Sequence, residues 1–112
     1  MLVFFSDDFS YLFPVHPKTP RLLKNNNDST LLTSTDVELT CATDSQGNKT
    51  YVFYRDDKNI TSDLTTNKYI LPSASRKGSA SYYCVVFIGG VGSRHSNLEI
   101  INFVGEIILY VV

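Results

Sequence analysis

Residues 79–88 read SASYYCVVFI and carry the strongest strand signal in the chain. The stretch is rich in aromatic and β-branched side chains, which divide between two faces by simple alternation, as they do along a β-strand. One face carries Tyr82, Cys84, Val86 and Ile88. The other face carries Tyr83, Val85 and Phe87. The pattern predicts a β-strand that is followed by a flexible glycine-rich turn over residues 89–92.

Segments before and after this stretch show the same period of two. Residues 36–42 (DVELTCA) place Val37, Leu39 and Cys41 on one face, and residues 50–55 (TYVFYR) also alternate. Shorter or weaker strands are predicted over residues 21–24, 60–67, 68–71 and 98–104, with a hairpin turn over residues 56–59. About seven short strands without helical periodicity predict an all-β protein with a two-sheet sandwich.

Length and composition restrict the class of protein further. The chain has 112 residues, of which 43% are hydrophobic and 19% charged, so it has the size and composition of one globular domain. Its net charge is −1, and no basic stripe is present, so a nucleic-acid partner is not expected. No apolar stretch reaches the roughly 20 residues of a membrane-spanning helix.

The two cysteines, Cys41 and Cys84, are too few for a four-ligand zinc site, and they form no CxxC pair. They are therefore either two free thiols or one disulfide. Three Asn-x-Ser/Thr sequons begin at Asn27, Asn48 and Asn59, in stretches that read as polar loops. The sequons favour glycosylation and an extracellular or cell-surface location, where a disulfide persists.

Four linked motifs together resemble a domain of the immunoglobulin superfamily over residues 18–104. In chain order they are Val37-x-Leu39-x-Cys41, Phe53-Tyr54-Arg55-Asp56, Tyr69-x-Leu71-x-x-Ala74 and Ala80-x-Tyr82-x-Cys84. In that family the first and last motifs hold the two bridging cysteines, and the second normally begins with Trp. The resemblance favours a constant-like or intermediate-set domain over a variable-type one.

The resemblance implies an immunoglobulin-like Greek-key sandwich closed by a Cys41–Cys84 disulfide. The implied core consists of Val37, Leu39, Phe53, Leu71 and Tyr82. The hydroxyl of Tyr82 is expected to satisfy a backbone group at the corner before its strand. Gly78 stands where the family normally has Asp, so the ion pair that this Asp makes is expected to be absent.

No arrangement of side chains indicates catalysis. His16 and His95 lie beside no nucleophile motif, and the acidic pairs Asp7-Asp8 and Asp56-Asp57 read as turn residues. The glycines of residues 89–92 do not open a helix, so they do not suggest a phosphate site. We therefore expect no enzyme activity, no cofactor, no metal site and no small-molecule substrate.

Binding is the remaining class of function, and two surfaces are candidates for it. The first is the turn over residues 89–95, with Val91 and Arg94. The second is the outward face of the strand over residues 79–88, with Tyr83, Val85 and Phe87. Both suit a recognition module of a cell-surface receptor or adhesion protein with a protein ligand or counter-receptor. The alternative is a structural spacer in a large protein of many immunoglobulin repeats.

The ends of the sequence stand apart from the predicted domain. Residues 1–17 are expected to form an extended lead-in or the edge of a fragment. Residues 105–112 form an apolar tail, which is either the edge of a fragment or the start of a truncated membrane anchor. In the second case the parent protein would be membrane-anchored.

Overall fold

The computed structural model describes residues 16–105. Most of the lead-in and of the apolar tail, including Asp7 and Asp8, lies outside the described residues. Between residues 16 and 105 the chain is built from short β-strands and one 3₁₀ turn, Ser73–Ser75. No helix in this part of the chain is long and apolar enough to cross a membrane.

The strands form two sheets. The three-stranded sheet has the order β1 (Arg21–Lys24), β3 (Glu38–Ala42), β6 (Lys68–Ile70), and its pairs are antiparallel. The six-stranded sheet has the order β2 (Thr30–Leu32), β9 (Glu99–Val104), β7 (Gly78–Ile88), β4 (Lys49–Arg55), β5 (Lys58–Asn59), with β8 (Val91–Gly92) also paired to β7. The predicted all-β sandwich is confirmed.

The connections cross repeatedly from one sheet to the other. Strand β3 lies in the three-stranded sheet, β4 in the other, and β7 returns between β4 and β9. Strand β2 runs parallel to β9, whereas the other pairs of the six-stranded sheet are antiparallel. This order is the Greek-key arrangement of an immunoglobulin-like sandwich.

The core lies where the inner faces of β3, β4 and β7 meet. The five predicted core residues all have 0% of their surface exposed: Val37, Leu39, Phe53, Leu71 and Tyr82. A disulfide joins Cys41 of β3 to Cys84 of β7, with the Cα atoms 6.0 Å apart, and so links the two sheets. The ring of Phe53 stacks on Tyr69 from the opposite sheet, with ring centroids 5.5 Å apart. Tyr69 thus helps to fill the space beside a ring that is smaller than Trp.

Two tight turns close the hairpins of the six-stranded sheet. Gly89 and Gly90 join β7 to β8 with φ of 58° and 80°, so the predicted glycine turn is confined to these two residues. Asp56 and Asp57 join β4 to β5 with φ of 48° and 65°. Positive φ at both central residues is typical of two-residue β-hairpin turns, and Gly and Asp are among the residues that tolerate it.

One predicted strand, over residues 60–67, does not form. Only an isolated bridge between Leu64 and Tyr51 connects this segment to the six-stranded sheet. The edge strand of this sheet is instead β5 (Lys58–Asn59), which takes up the second half of the turn predicted over residues 56–59. The long polar run after Ile60 offers few apolar side chains to hold an edge strand in register.

The corner before β7 differs from the expectation in its hydrogen bonds. The hydroxyl of Tyr82 is buried and makes no hydrogen bond within residues 16–105, so the predicted bond to the corner is wrong. Arg76 contacts this corner instead: its Nε and Nη2 atoms donate to the Leu71 carbonyl oxygen over 3.0 and 2.8 Å. Its Nη2 atom also lies 3.1 Å from the Asp36 carboxylate. An ion pair is thus present at this end of the sandwich. It is formed by Arg76 and Asp36, because Gly78 has no carboxylate.

Candidate interaction surfaces

The strand register determines which side chains point outward from the six-stranded sheet. Tyr54 lies opposite Tyr83, and Val52 lies opposite Val85, so these four residues share the outward face. The neighbouring pair Ser81 and Ile100 extends this face onto β9. We call the outward side of β4, β7 and β9 the aromatic face.

Three rings lie in contact on the aromatic face. Tyr54 and Tyr83 stack nearly parallel, with centroids 4.8 Å apart, and the His95 ring is tilted by 44° against Tyr83, with centroids 4.7 Å apart. Burial raises the pKa of Tyr83, as does the neighbouring Asp57 carboxylate. The sequence pointed to Tyr83, but it did not show that Tyr54 and His95 contact it.

The three predicted contact residues of β7 contribute unequally to the surface. Val85 is only 9% exposed and pairs with Val52, which is 3% exposed, so it offers little area to a partner. Tyr83 and Phe87 are half-buried. A Cβ atom on Gly92 would lie 2.9 Å from the Phe87 ring, so glycine at this position lets β8 approach the ring closely.

Exposed aliphatic side chains continue the aromatic face toward the edge of the sheet. Ile100 is 58% exposed on β9, and farther along this strand the exposed Leu32 of β2 pairs with Val104, beyond the polar Asn102. Exposed apolar side chains on one face of a sheet are typical of a contact surface. Periodicity alone could not show which apolar side chains of β9 are exposed, because the alternation does not tell which face of the strand is covered.

The outward side of the three-stranded sheet is more polar. Glu38 and Lys68 face solvent there and lie 3.5 Å apart as an ion pair. The exposed apolar residues Leu23 and Ile70 are separated by the polar Thr40 and Lys68 along the strand pairing. Ile70, which is 60% exposed, is nevertheless a close match in type and exposure to Ile100.

The predicted turn surface lies at the end of the sandwich where β7 meets β8. Val91 is half-buried, whereas Arg94 and His95 are exposed. Between β8 and β9 the hydroxyls of Ser93 and Ser96 accept hydrogen bonds from the backbone of β7, over 3.0 and 2.9 Å. The segment thus stays attached to β7 without forming a regular strand, and it presents Arg94 at the edge.

All three sequon asparagines, Asn27, Asn48 and Asn59, are exposed. Asn59 pairs with Tyr54 and therefore lies on the side of the aromatic face farthest from β9. A glycan on Asn59 would be attached next to Tyr54, on the side of the face away from Ile100. Within residues 16–105, no group of three or more His, Cys, Asp or Glu side chains is arranged to hold a metal ion.

Comparison with known proteins identifies the family. A sequence model of the immunoglobulin domain matches residues 20–101, which is more than half of the chain. The chain therefore belongs to the immunoglobulin superfamily, as its motifs and sheet order indicate. Domains with this fold are generally non-catalytic. No curated protein matches the chain.

Solved structures agree on the fold. The second Ig-C2 domain of human Fc-receptor like A matches with a TM-score of 0.60 and 22% identity, over 76% of this chain and 95% of that one. Murine CEACAM1b matches with a TM-score of 0.64 and 16% identity, over 80% of this chain and 46% of that one. Sidekick-1 immunoglobulin domains 1–5 match with a TM-score of 0.53 and 22% identity, over 77% of this chain and 18% of that one. The chain thus spans less than half of the last two structures.

Proposed function

We propose that this chain contributes an extracellular recognition module, spanning residues 18–104, to a cell-surface receptor or adhesion protein. It binds a protein ligand or counter-receptor through the aromatic face and catalyses no reaction. The disulfide between Cys41 and Cys84 supports this location, because disulfides persist in oxidising compartments. The exposed sequon asparagines support it as well.

The observation that carries the proposal is the group of contacting rings of Tyr54, Tyr83 and His95, with the exposed Ile100 on the same side of the sheet. Tyrosine is enriched at the centres of protein interfaces, because it buries a large area at a small cost in side-chain entropy. Here the rings already pack against one another, so a partner would not have to order them on binding. A spacer would have no need for such an area on one face.

The proposal is tested with two matched variants of the disulfide-bonded, secreted chain. Ile100→Asp places a charge on the aromatic face, and Ile70→Asp places the same charge on the outward side of the three-stranded sheet. The two residues have nearly equal exposure, 58% and 60%, so the variants should be about equally stable. Fluorescent tetramers of each chain are then titrated onto a panel of cell lines of different types.

We expect the unaltered chain to stain at least some cells saturably, and Ile100→Asp to weaken that staining about tenfold or more, which corresponds to about 1.4 kcal/mol. Ile70→Asp should bind like the unaltered chain. An equal loss of staining in both variants would mean that the partner does not bind specifically at the aromatic face. An absence of saturable staining on every line would favour the spacer, whose contacts are with neighbouring domains of its own protein.

A further inference from the structure

A cleft lies at the end of the sandwich where β7 turns into β8. It has a volume of about 470 Å³ and is open to solvent. The segment that precedes β1 forms one wall, and the end of β8 with the residues after it forms the other. Its lining residues are His16, Pro17, Lys18, Thr19, Gly92, Ser93 and Arg94.

The wall that precedes β1 is held by specific contacts. His16 Nδ1 lies 3.0 Å from the Gly92 carbonyl oxygen. Because a carbonyl oxygen only accepts hydrogen bonds, Nδ1 is the donor in this contact. The Lys18 backbone N–H donates to Ser45 Oγ over 2.8 Å. Pro17 and Pro20 are buried, and their rings restrict the backbone between these contacts. The cleft is therefore formed before any ligand arrives.

The charges around the cleft are mostly positive. Lys18 and Arg94 both line it, and both are exposed. Among residues 16–105, the only carboxylate within 4.0 Å of either side chain is that of Asp44, 3.8 Å from Lys18 Nζ. Both side chains of that pair are largely exposed, so the contact contributes little and a competing carboxylate could replace it.

We propose that this cleft binds an acidic peptide segment, with carboxylates of the segment held by Lys18 and Arg94. The inference rests on the proposed function in one respect, since it takes the ligand to be part of a protein. Arg94 can hold a carboxylate through two parallel N–H bonds, and Lys18 adds a second positive charge on the facing wall. No Phe, Tyr or Trp side chain lines the cleft, and the His16 ring is held by its contact with the Gly92 carbonyl oxygen, so the cleft offers little stacking surface to a nucleobase.

The test uses a fluorescently labelled peptide in which alternating Glu and Asp residues stand between two glycines. The matched neutral probe has Gln and Asn in their place. Binding to the full, disulfide-bonded chain is followed by fluorescence anisotropy at low salt and again at about 0.15 M salt, where exposed charges are partly screened. Each titration is repeated after enzymatic deglycosylation, because Asn48 lies at the same end of the sandwich.

Two double variants distinguish binding in the cleft from a general effect of the protein's net charge. Lys18→Gln with Arg94→Gln removes both cations of the cleft. Lys58→Gln with Lys77→Gln removes two exposed cations from the opposite end and changes the net charge by the same amount. We expect the first pair to weaken binding of the acidic peptide about tenfold and the second to change it less than about twofold.

The neutral probe should bind neither the unaltered chain nor the variants. Equal weakening by both pairs would overturn the proposal, because it would show attraction to charge in general. Binding of a sulfated oligosaccharide but not of the acidic peptide would overturn the class of ligand. The result is independent of the Ile100→Asp experiment, since that substitution leaves the cleft intact, so failure of the cleft and failure of the aromatic face can be told apart.

Discussion

Arg76 and Arg94 lie at opposite ends of the sandwich, and their contacts differ. Arg76 is 8% exposed, and its guanidinium donates to a buried carbonyl and pairs with Asp36. Arg94 at the other end is exposed and pairs with no carboxylate among the described residues. A charge whose hydrogen bonds are already made stabilises the fold. A charge that has none within the fold is available to a partner.

The largest effect should come from the core that lies between the two ends. Phe53→Ala removes a fully buried ring that stacks on Tyr69 and lies between the sheets. We expect a loss of about 3–5 kcal/mol in the free energy of unfolding, measured by urea denaturation. The losses expected for substitutions at the two ends can be compared with this value. A loss below about 1 kcal/mol would mean that the ring is not part of the core.

The next effect should distinguish the two arginines directly. Arg76→Met keeps most of the apolar stem but leaves the buried Leu71 carbonyl without its donor, so we expect a loss of about 2–3 kcal/mol. Arg94→Met should change the free energy of unfolding by less than about 0.5 kcal/mol, because the side chain is exposed. Urea denaturation of both variants checks this. Similar losses would remove the distinction between the ends.

A smaller effect should show which contact of Arg76 matters more. Asp36→Asn removes the ion pair but keeps the bonds to Leu71. The carboxylate is 88% exposed, so we expect a loss below about 1 kcal/mol that diminishes further in high salt. The comparison is made by thermal unfolding at low and high salt. A loss as large as that of Arg76→Met would make the ion pair the dominant contact.

The smallest effect at neutral pH should come from Tyr82→Phe. The hydroxyl is buried without a hydrogen bond in the described structure, so its removal should be neutral or slightly stabilising. A loss of about 1 kcal/mol would contradict this and would indicate that the hydroxyl makes a hydrogen bond. Urea denaturation near pH 7 decides between these two results.

The same variant should change the response to alkaline pH. Burial raises the pKa of Tyr82 above the ordinary tyrosine value of 10.0, so the folded state holds this proton more tightly than the unfolded state. Stability is therefore complete below the unfolded pKa and falls as pH rises from about 10 through the folded pKa. Tyr82→Phe should flatten this decline but not abolish it, because burial also raises the pKa of Tyr69.

Much of the fold could be predicted because its signals are local. The alternation in residues 36–42 and 79–88 identified two central strands, and the spacing of Cys41 and Cys84 matched a family in which they form a bridge. The predicted strand over residues 60–67 was wrong, because a polar segment carries no pattern that fixes where an edge strand pairs. The candidate residues of β7 were predicted from one strand alone, so the covered position of Val85 could not be seen.

The sequence by itself determined the class of fold, the inner faces of the main strands and the exposed sequons, because period, composition and spacing are properties of the chain. Only the tertiary structure decided which groups meet across the sheets. It brought Arg76 to Leu71 and Asp36, placed His95 on Tyr83, and brought Lys18 and Arg94 to one cleft. These partners are distant in sequence, and their contacts depend on how the strands are ordered, which no local pattern contains.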